Sequence, residues 1–398
     1  MIPRLAGSSL FPLATLSLLI GCAPAYISQK PPTPEPMVRV AIHHRLEAAV
    51  IEALDTVWAS DGIHASPLAP GNRWTVTARQ GRLVAETGAG TVIGEIGPGL
   101  TFRGRARFSL NGTALDRPLT LSPEGGAGLL AVLELPLEEY LLGVLSKEMG
   151  NAGGAELEAL KAQAVAARSF AYVKIGKKPE QGYDLESDVS HQAFDPSAPA
   201  GPAIRKAVEK TRGQVLSCRG RVFAPNYHST CGGRTALPSE AWGTADSLFP
   251  WAKSVRDPYC AVSPRFQWRE RVPSAAMVRR ALGLADTTIP ITDVSIMDRG
   301  PSGRVNRLKI RSQAGDTVLF RDRIRFQLAD KALPSSWFDV SCRRDELGNV
   351  ASVEFTGKGF GHGVGMCQWG AMGMAREGRG YRKILKHYYR ESEVVCIR

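Results

Sequence analysis

Leu129-Leu130-Ala131-Val132-Leu133-Glu134-Leu135-Pro136-Leu137-Glu138-Glu139-Tyr140-Leu141-Leu142-Gly143-Val144-Leu145-Ser146-Lys147-Glu148-Met149 changes period at Pro136, and that change decides the fold class. Residues 129–135 are an apolar run of strand length ended by a proline. Beyond it, Leu137, Tyr140, Leu141, Val144 and Leu145 recur at the i, i+3, i+4, i+7, i+8 spacing of an amphipathic helix. Pro136 suits the first turn, and Glu138 and Glu139 fall at an exposed start near the positive helix end. The glycines of residues 150–154 break the helix. A second, Ala-rich helix is expected over about 155–174, with Leu157, Leu160, Ala164, Ala167 and Tyr172 as core; its small residues allow close helix packing.

Working outward, residues 38–132 read as strand-rich. Val38-Arg39-Val40-Ala41-Ile42, Trp74-Thr75-Val76-Thr77-Ala78 and Phe102-Arg103-Gly104-Arg105-Ala106-Arg107-Phe108 alternate between apolar and polar, with Gly and Pro between the runs. Residues 251–350 mix short strands with one helical patch near 275–283, and a closing helix is expected at about 380–389. The class is α+β: a strand-rich N-terminal region (38–130), then a mixed helical and β domain forming a cleft (131–398), with a β-containing insertion at about 251–350. No internal repeat occurs.

The first residues read as a processing unit rather than as fold. Arg4 precedes an apolar stretch over residues 10–20, shorter than the roughly 20 residues of a membrane span but suited to a signal peptide ending at residue 21. Leu19-Ile20-Gly21-Cys22 resembles the lipobox of bacterial lipoproteins, which implies a lipid on Cys22. Five prolines between residues 23 and 36 make residues 22–37 an extended tether. The expected location is the cell envelope, lipid-anchored and facing the periplasm or outer surface. Ala23 follows Cys22 where an Asp would favour inner-membrane retention, so sorting to an outer membrane is favoured.

Net charge of +12 implies attraction to polyanions. Export argues against nucleic acid and for envelope anions such as the carboxylates of peptidoglycan. Besides Cys22, six cysteines remain (Cys218, Cys231, Cys260, Cys342, Cys367 and Cys396), enough for three disulfides in about 15 pairings. No CxxC spacing is present, and no metal site is expected.

Glu148 lies three and four residues beyond Leu145 and Val144, beside the apolar stripe and at the negative helix end. Both influences raise a carboxyl pKa, with Lys147 and Lys161 placed to oppose them. A carboxyl protonated near neutral pH suits a general acid for glycosidic cleavage. The alternative is a Glu that pairs a Lys or Arg at a helix end. Gly357-Lys358-Gly359-Phe360-Gly361-His362-Gly363-Val364-Gly365-Met366-Cys367-Gln368-Trp369-Gly370-Ala371 reads as a loop offering His362 and Gln368 as substrate contacts and Trp369 as a sugar-stacking face. Asn226-Tyr227-His228-Ser229-Thr230-Cys231-Gly232-Gly233-Arg234-Thr235 raises a nucleophilic reading through Ser229 or Cys231, though no GxSxG elbow exists. Ser187-Asp188-Val189-Ser190-His191-Gln192-Ala193-Phe194 adds a polar segment.

These segments, together with Leu160-Lys161-Ala162-Gln163-Ala164-Val165-Ala166-Ala167-Arg168-Ser169 and residues 381–389, resemble in this order the stage II sporulation protein D (SpoIID) family, which includes the amidase enhancer LytB. The resemblance covers roughly residues 131–240 and 355–398. It implies a peptidoglycan lytic transglycosylase that cleaves between N-acetylmuramic acid and N-acetylglucosamine of stem-free strands and leaves a 1,6-anhydro end. Glu148 would be the catalytic acid/base, and His191, Gln192, His228, Ser229, Thr230, His362, Gln368 and Trp369 would contact substrate. The LytB side implies an alternative, a non-catalytic peptidoglycan-binding partner of an amidase. Some members bind zinc through His and Cys residues in the segments matching His191 and His228. Gln192 stands here where a Cys would follow His191, so no cofactor is expected. Cys367 stands where Ser is usual.

Overall fold

Val38 and Val40 point into a core while Arg39 turns outward to Asp184, the alternation of a half-buried strand. A computed structural model of the protein describes residues 35–397, apart from positions 91, 97, 105, 106 and 151 and the side chains of 92–96. The expected signal peptide, lipidated Cys22 and most of the tether lie outside the described residues. No helix among the described residues is long and apolar enough to cross a membrane.

The strand Met37–Leu46 pairs antiparallel with Gly128–Pro136, which in turn pairs with Leu119–Glu124. These belong to a seven-stranded sheet that also holds Leu100–Arg103, Val57–Ser60, Ala65–Leu68 and the short Leu185–Glu186. A six-stranded sheet is built from Thr113–Leu115, Phe108–Leu110, Ala48–Ala53, Arg73–Arg79, Arg82–Thr87 and Val92–Ile96. The two share one core, in which Phe102 of the first sheet meets Trp74 and Phe108 of the second at ring-centroid distances of 6.3 and 6.1 Å. The run expected as one strand from 102 to 108 is therefore two strands in different sheets. Gly104, at a φ of 155°, lies where the chain leaves the first of them.

Pro136 carries the chain from sheet into helix α1 (Leu137–Met149), and its own ψ of 143° keeps it outside the helix. A short 3-10 turn, Gly154–Glu156, leads into α2 (Leu157–Lys174). Nearly every residue from Ala159 to Ala171 on α2 is buried, because alanines let α1, α3 (Pro202–Lys210) and the helices Gln368–Arg376 and Tyr381–Tyr388 approach on several sides. Tyr172 is not core: at 38% exposure it lies on the outer face near the end of the helix.

Glu138 is not exposed at the helix start either. It is 7% exposed and forms a two-point ion pair with the fully buried Arg168 of α2, with N···O distances of 2.6 and 2.9 Å. The same guanidinium donates to the carbonyl of Gln214, and the Gly213 amide donates to Glu138. One buried pair thus fixes α1, α2 and the strand Gln214–Cys218 together. Glu139, the next residue, pairs with Arg117 at the surface.

Residues 267–358 have a core of their own, drawn from two three-stranded sheets and centred on Trp268, Leu308, Ile310, Phe338 and Phe355. The fold is α+β.

Candidate active site

Four separated segments meet at the end of α1. The link is a two-residue parallel pairing of Tyr227–His228 with Met366–Cys367, which brings the His228 segment beside the glycine-rich segment. Gln368 begins a helix (Gln368–Arg376) rather than continuing a loop, and its buried amide Nε2 donates to Glu148 Oε2 at 3.0 Å. The Ala193 backbone N–H donates to the other carboxylate oxygen at 3.1 Å. Each oxygen keeps lone-pair capacity for a proton or a substrate group.

Burial raises the Glu148 pKa above its ordinary value, and the hydrogen bonds from Gln368 and Ala193 offset only part of that rise. Neither expected lysine contributes. Lys147 is exposed, and Lys161 pairs with Glu158 at 2.5 Å. Glu148 forms no ion pair among the described residues, so the alternative of a helix-end salt bridge does not describe it. On the adjoining face of α1, Lys147 lines a hollow with His43, Ser187, Phe194 and Asp195.

Gln192 is 1% exposed and is held from three sides. Its Oε1 accepts from Tyr140 Oη at 3.0 Å, and its Nε2 donates to Tyr227 Oη at 2.7 Å and to the Ala167 carbonyl at 3.4 Å. It therefore positions the adjacent Ala193 N–H rather than presenting its own amide to a ligand. Tyr140 and Tyr227 are the residues that sequence reasoning missed. Their phenol pKa values are raised by burial and by the nearby Glu148 charge. The signal for Tyr140 was present, since it lies eight residues before Glu148 on one helix face.

The histidines are neutral fixtures. His228 Nδ1–H donates to the Val364 carbonyl at 3.1 Å, and burial lowers its pKa well below the ordinary range. His362 donates from Nε2 to the Tyr227 carbonyl at 3.1 Å, accepts from the Val364 N–H at Nδ1 at 3.0 Å, and is pushed down to about 4 by burial. The two rings lie 5.5 Å apart. Exposed Trp242 lies 5.3 Å from His362, an aromatic face that sequence reasoning did not select. His191 accepts from the Glu186 N–H at 2.9 Å and lies edge-on to Phe170.

Ser229 and Thr230 do not form a nucleophilic pair with His228. Ser229 Oγ lies 3.4 Å from Thr230 Oγ1, and Thr230 is fully buried with its hydroxyl on Ser263. Ser229 contributes its carbonyl, which accepts from the Trp369 N–H at 3.0 Å. Trp369 is half-buried against the main core. Cys231 is fully buried and its thiol pKa is raised by burial, so it is no nucleophile.

The six described cysteines form no disulfide. Cys231 and Cys367 instead come together with Cys260 and Asp257, with one potential ligand atom from each lying within 4.8 Å of the others. His191 and His228 join no such group among the described residues, so the zinc set implied for some relatives does not fit this chain.

Two family models match the sequence: "Stage II sporulation protein" over residues 126–217 and "Domain of unknown function (DUF8618)" over residues 259–365. The first covers α1, α2, Gln192 and Ala193; the second covers the whole segment with its own core. An uncharacterized protein of Brachyspira hyodysenteriae is 30% identical over 317 residues, 79% of this chain and 82% of that protein. The stage II sporulation protein D of Bacillus amyloliquefaciens is 31% identical over 66% of this chain and 75% of its own length. The amidase enhancer of Bacillus subtilis is 26% identical over 63% of this chain and 39% of its own length. With the model matched across Glu148 and three quarters of a stage II sporulation protein D aligned at 31% identity, the chain belongs to the SpoIID family.

Proposed function

We propose that this chain is a peptidoglycan lytic transglycosylase with Glu148 as its single acid/base. Family membership and the likeness to an amidase enhancer support a peptidoglycan-related role. The observation that carries the finer reading is the carboxyl itself. It is half-buried and shifted toward the protonated form, it has no cationic partner among the described residues, and it is aimed by one side-chain amide and one backbone amide.

Protonated Glu148 donates to the oxygen between N-acetylmuramic acid and N-acetylglucosamine, and the muramyl C1–O bond breaks with the electron pair leaving on that oxygen. The muramyl 6-hydroxyl then closes on C1 and gives its proton back to Glu148. Atoms and charge balance without a second carboxylate or a water, unlike the two-carboxylate hydrolase scheme. The Gln368 and Ala193 donors hold the ionised carboxylate between the two steps. Lipid on Cys22 would confine the reaction to the envelope.

A form lacking residues 1–34 keeps Glu35, whose carboxylate accepts from the Glu138 N–H at 2.8 Å and so completes the start of α1. Incubated with stem-free glycan strands, it should release products with 1,6-anhydro ends by mass spectrometry. Glu148→Gln should lower the rate by about 10²–10⁴-fold. Equal release by wild type and Glu148→Gln would remove the proposal. No release by either, together with stimulation of a peptidoglycan amidase, would favour the non-catalytic partner.

A further inference from the structure

Cys231, Asp257, Cys260 and Cys367 come from three distant parts of the chain and lie side by side beneath the active site. All four are fully buried. Sγ of Cys231 lies 3.5 Å from Sγ of Cys260 and 3.2 Å from Asp257 Oδ2. A tetrahedral zinc with about 2.3 Å Zn–S bonds holds its sulfurs roughly 3.8 Å apart, which matches this packing.

The sulfurs sit among hydrogen-bonding groups rather than packed as small apolar side chains. Cys367 Sγ accepts backbone N–H bonds from Cys231 at 3.2 Å and Gly370 at 3.3 Å, and Cys231 Sγ accepts one from Gly233 at 3.4 Å. Asp257 is oriented at both oxygens, by the Tyr259 N–H on Oδ1 at 3.1 Å and the Tyr388 hydroxyl on Oδ2 at 2.9 Å. Hydrogen bonds of this kind from outside the ligand set orient metal ligands. Gly370 has no room for a Cβ, which would collide with Asp257 Oδ2 and Tyr388 Oη.

Arg304 is 1% exposed and forms no ion pair among the described residues. Its Nη2 donates to the Cys231 carbonyl at 2.9 Å and its Nη1 to the Arg234 carbonyl at 3.1 Å, while Nε has no partner. The negative centres that face this guanidinium are Glu240 and Asp322 together with the Cys231 and Cys367 sulfurs. Three thiolates and a carboxylate around a divalent cation keep a net negative charge on the cluster side.

We propose that Cys231, Asp257, Cys260 and Cys367 bind one zinc ion in a closed structural site. Three soft thiolates and one carboxylate in four-coordinate packing suit Zn²⁺ over oxygen-seeking Mg²⁺ or Ca²⁺. The ion ties the turns at residues 229–233 and 257–260 to the residue immediately before Gln368. It is therefore a positioning device for the amide that holds Glu148.

The test is elemental analysis of the full-length chain purified under reducing conditions without chelator. About one zinc per chain is expected. Cys231→Ser and Asp257→Ala should each lose more than half of it, while Cys218→Ser and Cys342→Ser should lose none. Because the ligand variants could fail to fold, cobalt-substituted wild-type protein provides a second reading: thiolate-to-cobalt charge-transfer absorption and the intense visible bands of a tetrahedral site. A chain that takes up neither zinc nor cobalt would overturn the site, whether alkylation finds the Cys231, Cys260 and Cys367 thiols free or a Cys231–Cys260 disulfide. So would full zinc retention in Asp257→Ala and Cys367→Ser.

Discussion

Two opposing influences meet on the Glu148 carboxyl, and their balance fixes two measurable consequences. Burial raises its pKa and the donors lower it, with burial the larger. The folded state therefore keeps this proton to a higher pH than the unfolded chain, where a Glu loses it near about 4.3. By linkage, stability falls as pH rises from that value through the folded pKa. Glu148→Gln removes this loss, so the variant should melt higher than wild type at pH 8, and the gap should close near pH 4. A gap of the same size at both pH values would contradict the assignment. Gln368 bonds the ionised form. Gln368→Leu should move the alkaline limb of the pH–rate profile upward and lower kcat, whereas a merely structural loss would lower the rate without moving the limb. The position of Glu148 on an apolar stripe was readable from spacing alone. Its partners were not, because Gln368 lies 220 residues away and Ala193 contributes only backbone.

Between elements, the Glu138–Arg168 pair and the His228–His362 pair do the joining. Both carboxylate oxygens of Glu138 and all three guanidinium nitrogens of Arg168 are bonded in a buried setting. Removing one partner strands a buried charge, which costs about 3–5 kcal/mol. Arg168→Met should lower the unfolding free energy by that amount in denaturant titration, and a change below about 1 kcal/mol would show the pair to be dispensable. The histidines act with the opposite pH sign to Glu148. Both have folded pKa values below the unfolded value of about 6.5, so the unfolded chain takes up protons first. Their contribution is intact above pH 6.5 and is lost as pH falls toward about 4. In Glu148→Gln, which lacks the opposing carboxyl, the acid-side fall in Tm should persist. Replacing His362 with Gln should make it shallower, leaving the part due to His228. The strand-to-helix change at Pro136 was legible because periodicity is local. The burial of Glu138 was not, since an acidic residue in a first helical turn is ordinarily solvated and its partner lies on the next helix.

For the whole molecule, long-range closure set the limit of what could be read in advance. Six cysteines behind a sequence that reads as an export signal suggest disulfides, yet the fold gathers three of them around an aspartate. The one local hint was Asp257 three residues before Cys260; Cys231 and Cys367 join that pair only after residues 227–228 and 366–367 align in parallel. Net charge, by contrast, needs no fold. At +12 the chain attracts polyanions through a diffuse field, and under the proposed function these are the carboxylates of peptidoglycan. Such attraction is screened over about 10 Å at 0.1 M salt and about 3 Å at 1 M. Retention of Glu148→Gln on purified sacculi should therefore fall several-fold between 0.05 and 0.5 M salt. It should fall less on strands stripped of stem peptides, where fewer carboxylates remain and contacts at the site carry more of the binding. The inactive variant is the right probe, because it separates retention from cleavage. Salt-independent retention on both substrates would mean that the basic surface has no part in bringing Glu148 to the glycan.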